Sequence, residues 1–248
     1  MHLPSIKQIG TFLTDDIRNM SMREHLGYWI VPAAVLALLI SFYFSSIPAL
    51  VTIVCPQENW EWGMLENIQL LILLTILGIT IFAAVKKKSM LQRLGFSFLT
   101  FFTLFVFLEE IDYGAHLQHY ISGSKDSLLG EYYNVHNQGN NAKIFKRSVY
   151  GIMTLIFVIA PFLSQYIKNP ILQYLIPKPK IFIIAVLAIA ADLIPRLLVN
   201  FKVFEDGGLG VNIGEFSEIV VYQIFLVYLI QLVFEKEWPG ITQSKRNP

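Results

Sequence analysis

Two adjacent glutamates, Glu109 and Glu110, stand where an apolar run, 94–108, comes to an end. Asp112 and His116 follow four residues apart, a spacing that shares one face of a helix. Glu131, Asn134, His136 and Asn137 come close behind. Carboxylates and imidazoles so grouped can move protons or hold a metal. Neighbouring carboxylates in a poorly solvated setting acquire the raised pKa values that a general acid needs. Ionisable groups at the edge of hydrocarbon are costly, and for that reason are functional candidates. Glu109, Glu110 and His136 are therefore candidate catalytic residues. Glu66, Asp112, His116, Glu131, His136 and Glu218 are candidate ligands of a divalent metal. Such an oxygen-rich set with imidazole suits Mg²⁺, Ca²⁺, Mn²⁺ or iron better than a thiolate-preferring metal. Asp192, Arg196 and Asn137 are candidate substrate-binding residues, the guanidinium offering itself to an anionic head group. The competing readings are structural: Asp192 with Arg196 as an i,i+4 ion pair, and the Glu109–His116 group closing a helix end against Lys146, Arg147 or Arg196. His119 reads as interfacial.

These residues need a membrane bundle to position them. The 248-residue chain is 54% hydrophobic and only 15% charged, and its mean hydropathy is +0.54. Several apolar runs approach the roughly 20 residues that a bilayer demands. The expected fold is all-α: one integral membrane domain over 1–248, with six transmembrane helices at 28–54, 62–85, 94–110, 147–167, 180–199 and 213–234. Ile6, Ile9, Leu13, Ile17 and Met20 recur at helical spacing among charges, which predicts an amphipathic N-terminal helix over 1–22, in the membrane surface or packed under the bundle. Ser21-Met-Arg-Glu24 has the form of a capping box opening the next helix. Pro161 and Pro195 fall inside the fourth and fifth spans and predict kinks. Net charge is +1, which implies no nucleic-acid partner, and the single cysteine excludes an internal disulfide. Membrane lipids are the partners this composition implies.

Lys and Arg set the expected orientation. With both termini cytoplasmic, the cytoplasmic segments hold Lys7, Arg18 and Arg23, then Lys86, Lys87, Lys88 and Arg93, then Lys168, Lys178 and Lys180, then Lys236, Lys245 and Arg246. The loop 54–61 has no basic residue. At about 1.5 Å per residue, Glu109 lies roughly 24 Å from Arg93, and Glu218 roughly 25 Å from Glu235. Glu66 and Asp192 come to a similar level. Four spans thus carry acids into the outer half of the membrane, while the inner halves are almost free of charge. A polar chamber opening outward is expected, with the extracytoplasmic loop 111–146 folded over it.

Glu109-Glu-Ile-Asp-Tyr-Gly-Ala-His116 resembles a Glu-Glu-x-Ser-Trp-Gly-Gln signature of uncharacterised bacterial multi-pass membrane proteins. In those proteins a Glu-x-x-x-Leu-His-Asn element follows, which Glu131 and His136-Asn137 match in part. Acids opening the second span correspond to Glu61 and Glu66, and a Glu-x-x-Glu in the last span to Glu215 and Glu218. The match departs at Asp112, Tyr113 and the Ala115-His116 pair. The resemblance implies a bacterial inner-membrane protein with a site at these residues, and no particular reaction.

Three functions compete. An integral membrane enzyme would act on a lipid or lipid-linked substrate from the outer leaflet, by hydrolysis or group transfer. A cation or proton-coupled transporter or channel would need a polar route inward, for which Thr75, Thr80, Ser97, Thr100 and Gln231 are the only candidates. A non-catalytic subunit or sensor would use its outer loop to bind another protein. No His-Glu-x-x-His zinc motif, Gly-x-Ser-x-Gly elbow or phosphate-binding glycine loop occurs. If His136 ligates a metal, His136→Ala lowers the metal content of the purified protein, read by elemental mass spectrometry. Equal content in both proteins removes the assignment.

Overall fold

A backbone in hydrocarbon must satisfy its own hydrogen bonds, so a chain this apolar is constrained to helices. In the computed structural model every regular element among the described residues is helical. Those residues are 13–56, 62–114, 148–205, 207–210 and 213–239, with the backbone alone of Asp112 and Gln165. In chain order the helices are α1 (Met22–Tyr43), α2 (Pro48–Val54), α3 (Met64–Lys86), α4 (Met90–Glu110) and α5 (Ser148–Leu163). Then come α6 (Pro170–Leu175), α7 (Phe182–Asn200) and α8 (Glu215–Glu235). Five helical segments are long and apolar enough to cross a membrane: α1, α3, α4, α8 and the stretch Pro170–Asn200 that comprises α6 and α7. The chain is an integral membrane protein by that measure.

Local chemistry explains the boundaries. The capping box is present: Ser21 N–H donates to Glu24 Oε2 at 2.7 Å, and Glu24 N–H to Ser21 Oγ at 3.3 Å. It starts α1 at Met22, ahead of the expected 28. The expected first span, 28–54, is two helices. α1 stops at Tyr43, Ser45 Oγ takes the Ile47 N–H at 3.4 Å, and Pro48, with no N–H to continue a helix, opens α2. Gly63 then lets the chain turn back on itself. A Cβ there would stand 2.0 Å from the Val54 carbonyl oxygen. α4 carries Glu109 and Glu110 inside its last turn, ending where the expected span 94–110 ends, and starts earlier, at Met90. Over the described residues α5, the expected fourth span, is about 24 Å long against a core of roughly 30 Å. Within it a π-turn, Thr154–Ile159, precedes Pro161 and takes up the register lost where proline donates no hydrogen bond. Residues 13–18 are helical and 19–21 are not, so the expected helix over 1–22 ends early; its first part, 1–12, lies outside the described residues.

Contacts at both ends define the bundle. α3 and α8 run parallel: Gln69 meets Glu215 at one end, and Lys87 Nζ donates to Val233 O at 2.7 Å at the other. α4 returns antiparallel to α3. α7 runs antiparallel to α8, with Lys178 N–H on Gln231 Oε1 at 2.9 Å and Arg196 beside Gly214. α1 runs alongside, Tyr28 receiving Gln231 Nε2 at 2.7 Å and Tyr43 OH accepting the Leu209 N–H at 3.0 Å. α8 is central: over its most apolar stretch 56% is buried, against 17% to 28% for the other four segments. One end of the bundle is therefore acidic, with Glu66, Glu109, Glu110, Glu215 and Glu218. The opposite end is mixed and more basic.

That basic end holds a lysine in the interior. Lys180 is 5% exposed. Its ammonium pairs with Glu24 and lies 3.6 Å from Glu235 and 5.2 Å from the centre of the Tyr28 ring. Its N–H donates to Asp16 at 2.7 Å, and Lys178 pairs with Glu235 at 2.6 Å. Glu24 and Glu235 were not foreseen as partners here. Lys236 Nζ donates to Tyr174 O at 2.9 Å and to Ile176 O, capping α6. Burial, reinforced by the nearby charge of Lys178, pulls the Lys236 ammonium down to about 8. Removing one member of a buried ion pair typically costs about 3 kcal/mol or more, because its partners stay charged. Lys180→Met should thus lower the melting temperature in detergent markedly, and adding Glu24→Gln should restore part of the loss.

Candidate functional site

At the acidic end three helices bring polar side chains together. α3 contributes Glu66 and Gln69 from its first turns, on the same face as the buried Leu65, Leu73 and Ile76. α8 contributes Glu215, Glu218 and Tyr222. α4 contributes Glu109 and Glu110 from its last turn. Glu66, Glu109 and Glu215 are buried, and Gln69 is fully so. Gln69 Nε2 donates to Glu215 Oε2 at 3.3 Å and to the Glu215 carbonyl at 3.4 Å. Its Oε1 has no hydrogen-bond partner among the described residues. Tyr222 OH donates to Glu110 Oε1 at 2.6 Å, close enough to Glu218 and Glu215 for both charges to act on it.

Helix polarity treats these acids differently. Glu66, Glu215 and Glu218 lie in the first turns of two parallel helices, where the macrodipole favours negative charge. Glu109 and Glu110 lie at the carboxyl end of α4, where it does not. Each of these two takes a hydrogen bond from a tyrosine: Glu110 from Tyr222 and Glu109 from Tyr113. Tyr113 is held in the left-handed region, φ 51 and ψ 32, and Gly114 follows at φ 89. A bulky residue there is strained, and the pair turns the chain sharply off α4. The hydrogen bond to Glu109, helped by partial burial, pushes the Tyr113 phenol up to about 12.

Of the expected site residues, the structure brings Glu66, Glu110 and Glu218 to one end of the bundle, with Glu109 alongside. His116, Glu131, His136 and Asn137 lie outside the described residues, as does the side chain of Asp112. Among the described residues no three His, Cys, Asp or Glu side chains stand together as metal ligands. A metal here would need a ligand from outside the described residues. Asp192 and Arg196 do form an ion pair, with Nε and Nη2 on the same Oδ1 at 3.0 and 2.9 Å. They belong to a different face of the bundle. On α8 the site residues 215, 218 and 222 are turned about 120° from 217, 221 and 224, and Asp192 lines a groove with the latter set. Glu215, to which only the resemblance pointed, completes the site with Tyr113 and Tyr222, which were not among the candidates. The signal was present: 215, 218 and 222 share a helical face, and Tyr113 is four residues after Glu109.

The chain matches no protein-family profile, and neither a curated protein nor a solved structure matches it. The resemblance of Glu109–His116 to a membrane-protein signature stands on those residues alone. Folding favours the neutral Tyr113 phenol. Its stabilisation is complete below the ordinary value of 10.0 and is lost as pH rises toward about 12. Tyr113→Phe should remove one phenol that titrates at about 12 from an ultraviolet titration and flatten the pH dependence of melting in that window. A titration that is unchanged removes the Tyr113–Glu109 bond from the site.

Proposed function

We propose that the protein is an integral membrane enzyme that acts on a lipid or lipid-linked substrate by hydrolysis or group transfer. The observation that carries this reading is the Tyr222–Glu110 hydrogen bond between α8 and α4, beside Glu215 and Gln69 at one end of the bundle. Such a pairing stores and directs a proton. One carboxylate takes the proton of the attacking hydroxyl, and a protonated partner gives a proton to the departing oxygen. Glu110 and Glu109 are the residues proposed for these two steps, with His136 as a further proposed catalytic residue and Asn137 as a proposed substrate-binding one. Glu66, Glu218, Asp112, His116, Glu131 and His136 remain the proposed ligands if a divalent ion takes part, where it would polarise the reacting oxygen.

The interior away from the site favours an enzyme over a transporter. Below Gln69 the buried face of α3 continues as Leu73 and Ile76, and that of α8 as Val220, Ile224 and Val227. Thr80 donates to the Leu77 carbonyl of its own helix. Gln231 is engaged by Tyr28 and Lys178. Among the described residues these offer no continuous polar path. The remainder of the proposal follows the charge pattern: six crossings with α5 as the fourth, an amphipathic N-terminal helix, both termini cytoplasmic, and the acidic end facing outward in a bacterial inner membrane.

The test is turnover. Purified protein in vesicles made from the lipid extract of its expression host should consume one lipid class over time, as read by mass spectrometry. Glu110→Gln should slow that loss at least about 100-fold, the usual contribution of a positioned acid or base. Identical lipid profiles for both proteins, together with cation flux that Glu109→Gln abolishes, would replace the enzyme with a transporter.

A further inference from the structure

A second feature lies on the other side of α8. Between α5, α7 and α8 the bundle leaves a groove of about 350 Å³ that opens sideways. Its floor is apolar and buried, with Phe157, Ala185 and Ile224, while Ile189 on its rim is exposed. The small side chains at 185 and 188 on α7 open the slot. From Ala185 to Asp192 it runs about two turns, or roughly 10 Å. Asp192 lines one end of it, and Arg196 stands one turn further on.

The ion pair at that end is built to be shared. Both carboxylate and guanidinium are half-exposed, at 38% and 43%. Arg196 places Nε and Nη2 on a single oxygen, Asp192 Oδ1. Oδ2 and Nη1 make no hydrogen bond to the described residues. Gly214 leaves room for the guanidinium: a Cβ there would stand 3.0 Å from Nη2. A groove end presenting one fixed cation beside one fixed anion complements a zwitterion. A purely anionic head group would bring its charge against Asp192, and a purely cationic one against Arg196, where poor solvation makes like charges costly.

We infer that this groove binds a single aminophospholipid, with one acyl chain between α5 and α7, the phosphate on Arg196 and the ammonium on Asp192. The site is separate from the carboxylate group of α3, α4 and α8 and stands whether or not that group is catalytic.

Photo-crosslinking in vesicles tests it. Full-length protein is reconstituted in equimolar phosphatidylethanolamine and phosphatidylglycerol, with a diazirine in the acyl chain of one or the other, and adducts are mapped by mass spectrometry. Phe98 and Phe101 on α4 are exposed and report ordinary lipid contact. The phosphatidylethanolamine probe should label the groove around Phe157 and Ala188 several-fold above Phe98 and Phe101, and the phosphatidylglycerol probe should not. Ala188→Trp, which fills the slot, should return groove labelling to that background. Arg196→Gln, a surface change that leaves the packing intact, should remove the preference between the two probes. Groove labelling at background, equal labelling by both probes, or labelling indifferent to Arg196→Gln would overturn the proposal. Lipid turnover that depends on Glu110 would be untouched by any of these outcomes.

Discussion

A helix buried among others inside hydrocarbon can carry polar side chains only where another helix answers them. α8 shows how this chain meets that condition. At its first turns Glu215 is met by Gln69 of α3 and Tyr222 meets Glu110 of α4. At its last turns Gln231 is met by Tyr28 of α1 and by the backbone of Lys178, ahead of α7. Between those levels its buried residues are apolar, from Val220 to Leu229. Four segments are thus tied to one central helix by polar contacts at two depths, and the apolar middle adds packing without directional demands.

The two polar levels differ in chemistry. At the basic end, opposite charges meet: Lys180 lies between Glu24 and Glu235, and Lys178 adds a second pairing. Such an arrangement cancels its own charge and is suited to holding helices in register. At the acidic end, carboxylates meet amide and phenol groups of neighbouring helices. The proposed function is placed at the acidic end because three helices bring these groups together there. The left-handed Tyr113 at the exit of α4 is a further sign, since backbone strain is tolerated where the surroundings enforce it.

Much of this was legible in the chain. The apolar runs announced the helices, and the capping box at Ser21 announced the start of α1, although its boundary was placed late. The break after Tyr43 was missed because an apolar run hides it; Ser45 and Pro48 were the available signals. The common depth of Glu66, Glu109 and Glu218 followed from counting residues along each helix. The partners of those acids were less visible. Glu215 and Tyr222 had the right spacing, but nothing local distinguishes a glutamate that faces Gln69 from one that faces lipid. Lys180 was counted as a topological marker at the membrane edge, yet it is enclosed by two glutamates from helices far away in sequence.

The division has a physical basis. Depth in the membrane accumulates at a constant rise along each helix, so the sequence by itself determined that Glu66, Glu109 and Glu218 lie toward one end and Lys87, Lys180 and Lys236 toward the other. Azimuth, the direction in which a side chain points, depends on which helices pack where. Only the tertiary structure decided that Glu110 accepts a hydrogen bond from Tyr222, that Lys180 is enclosed between Glu24 and Glu235, and that Asp192 lines a separate groove with Arg196 one turn beyond it.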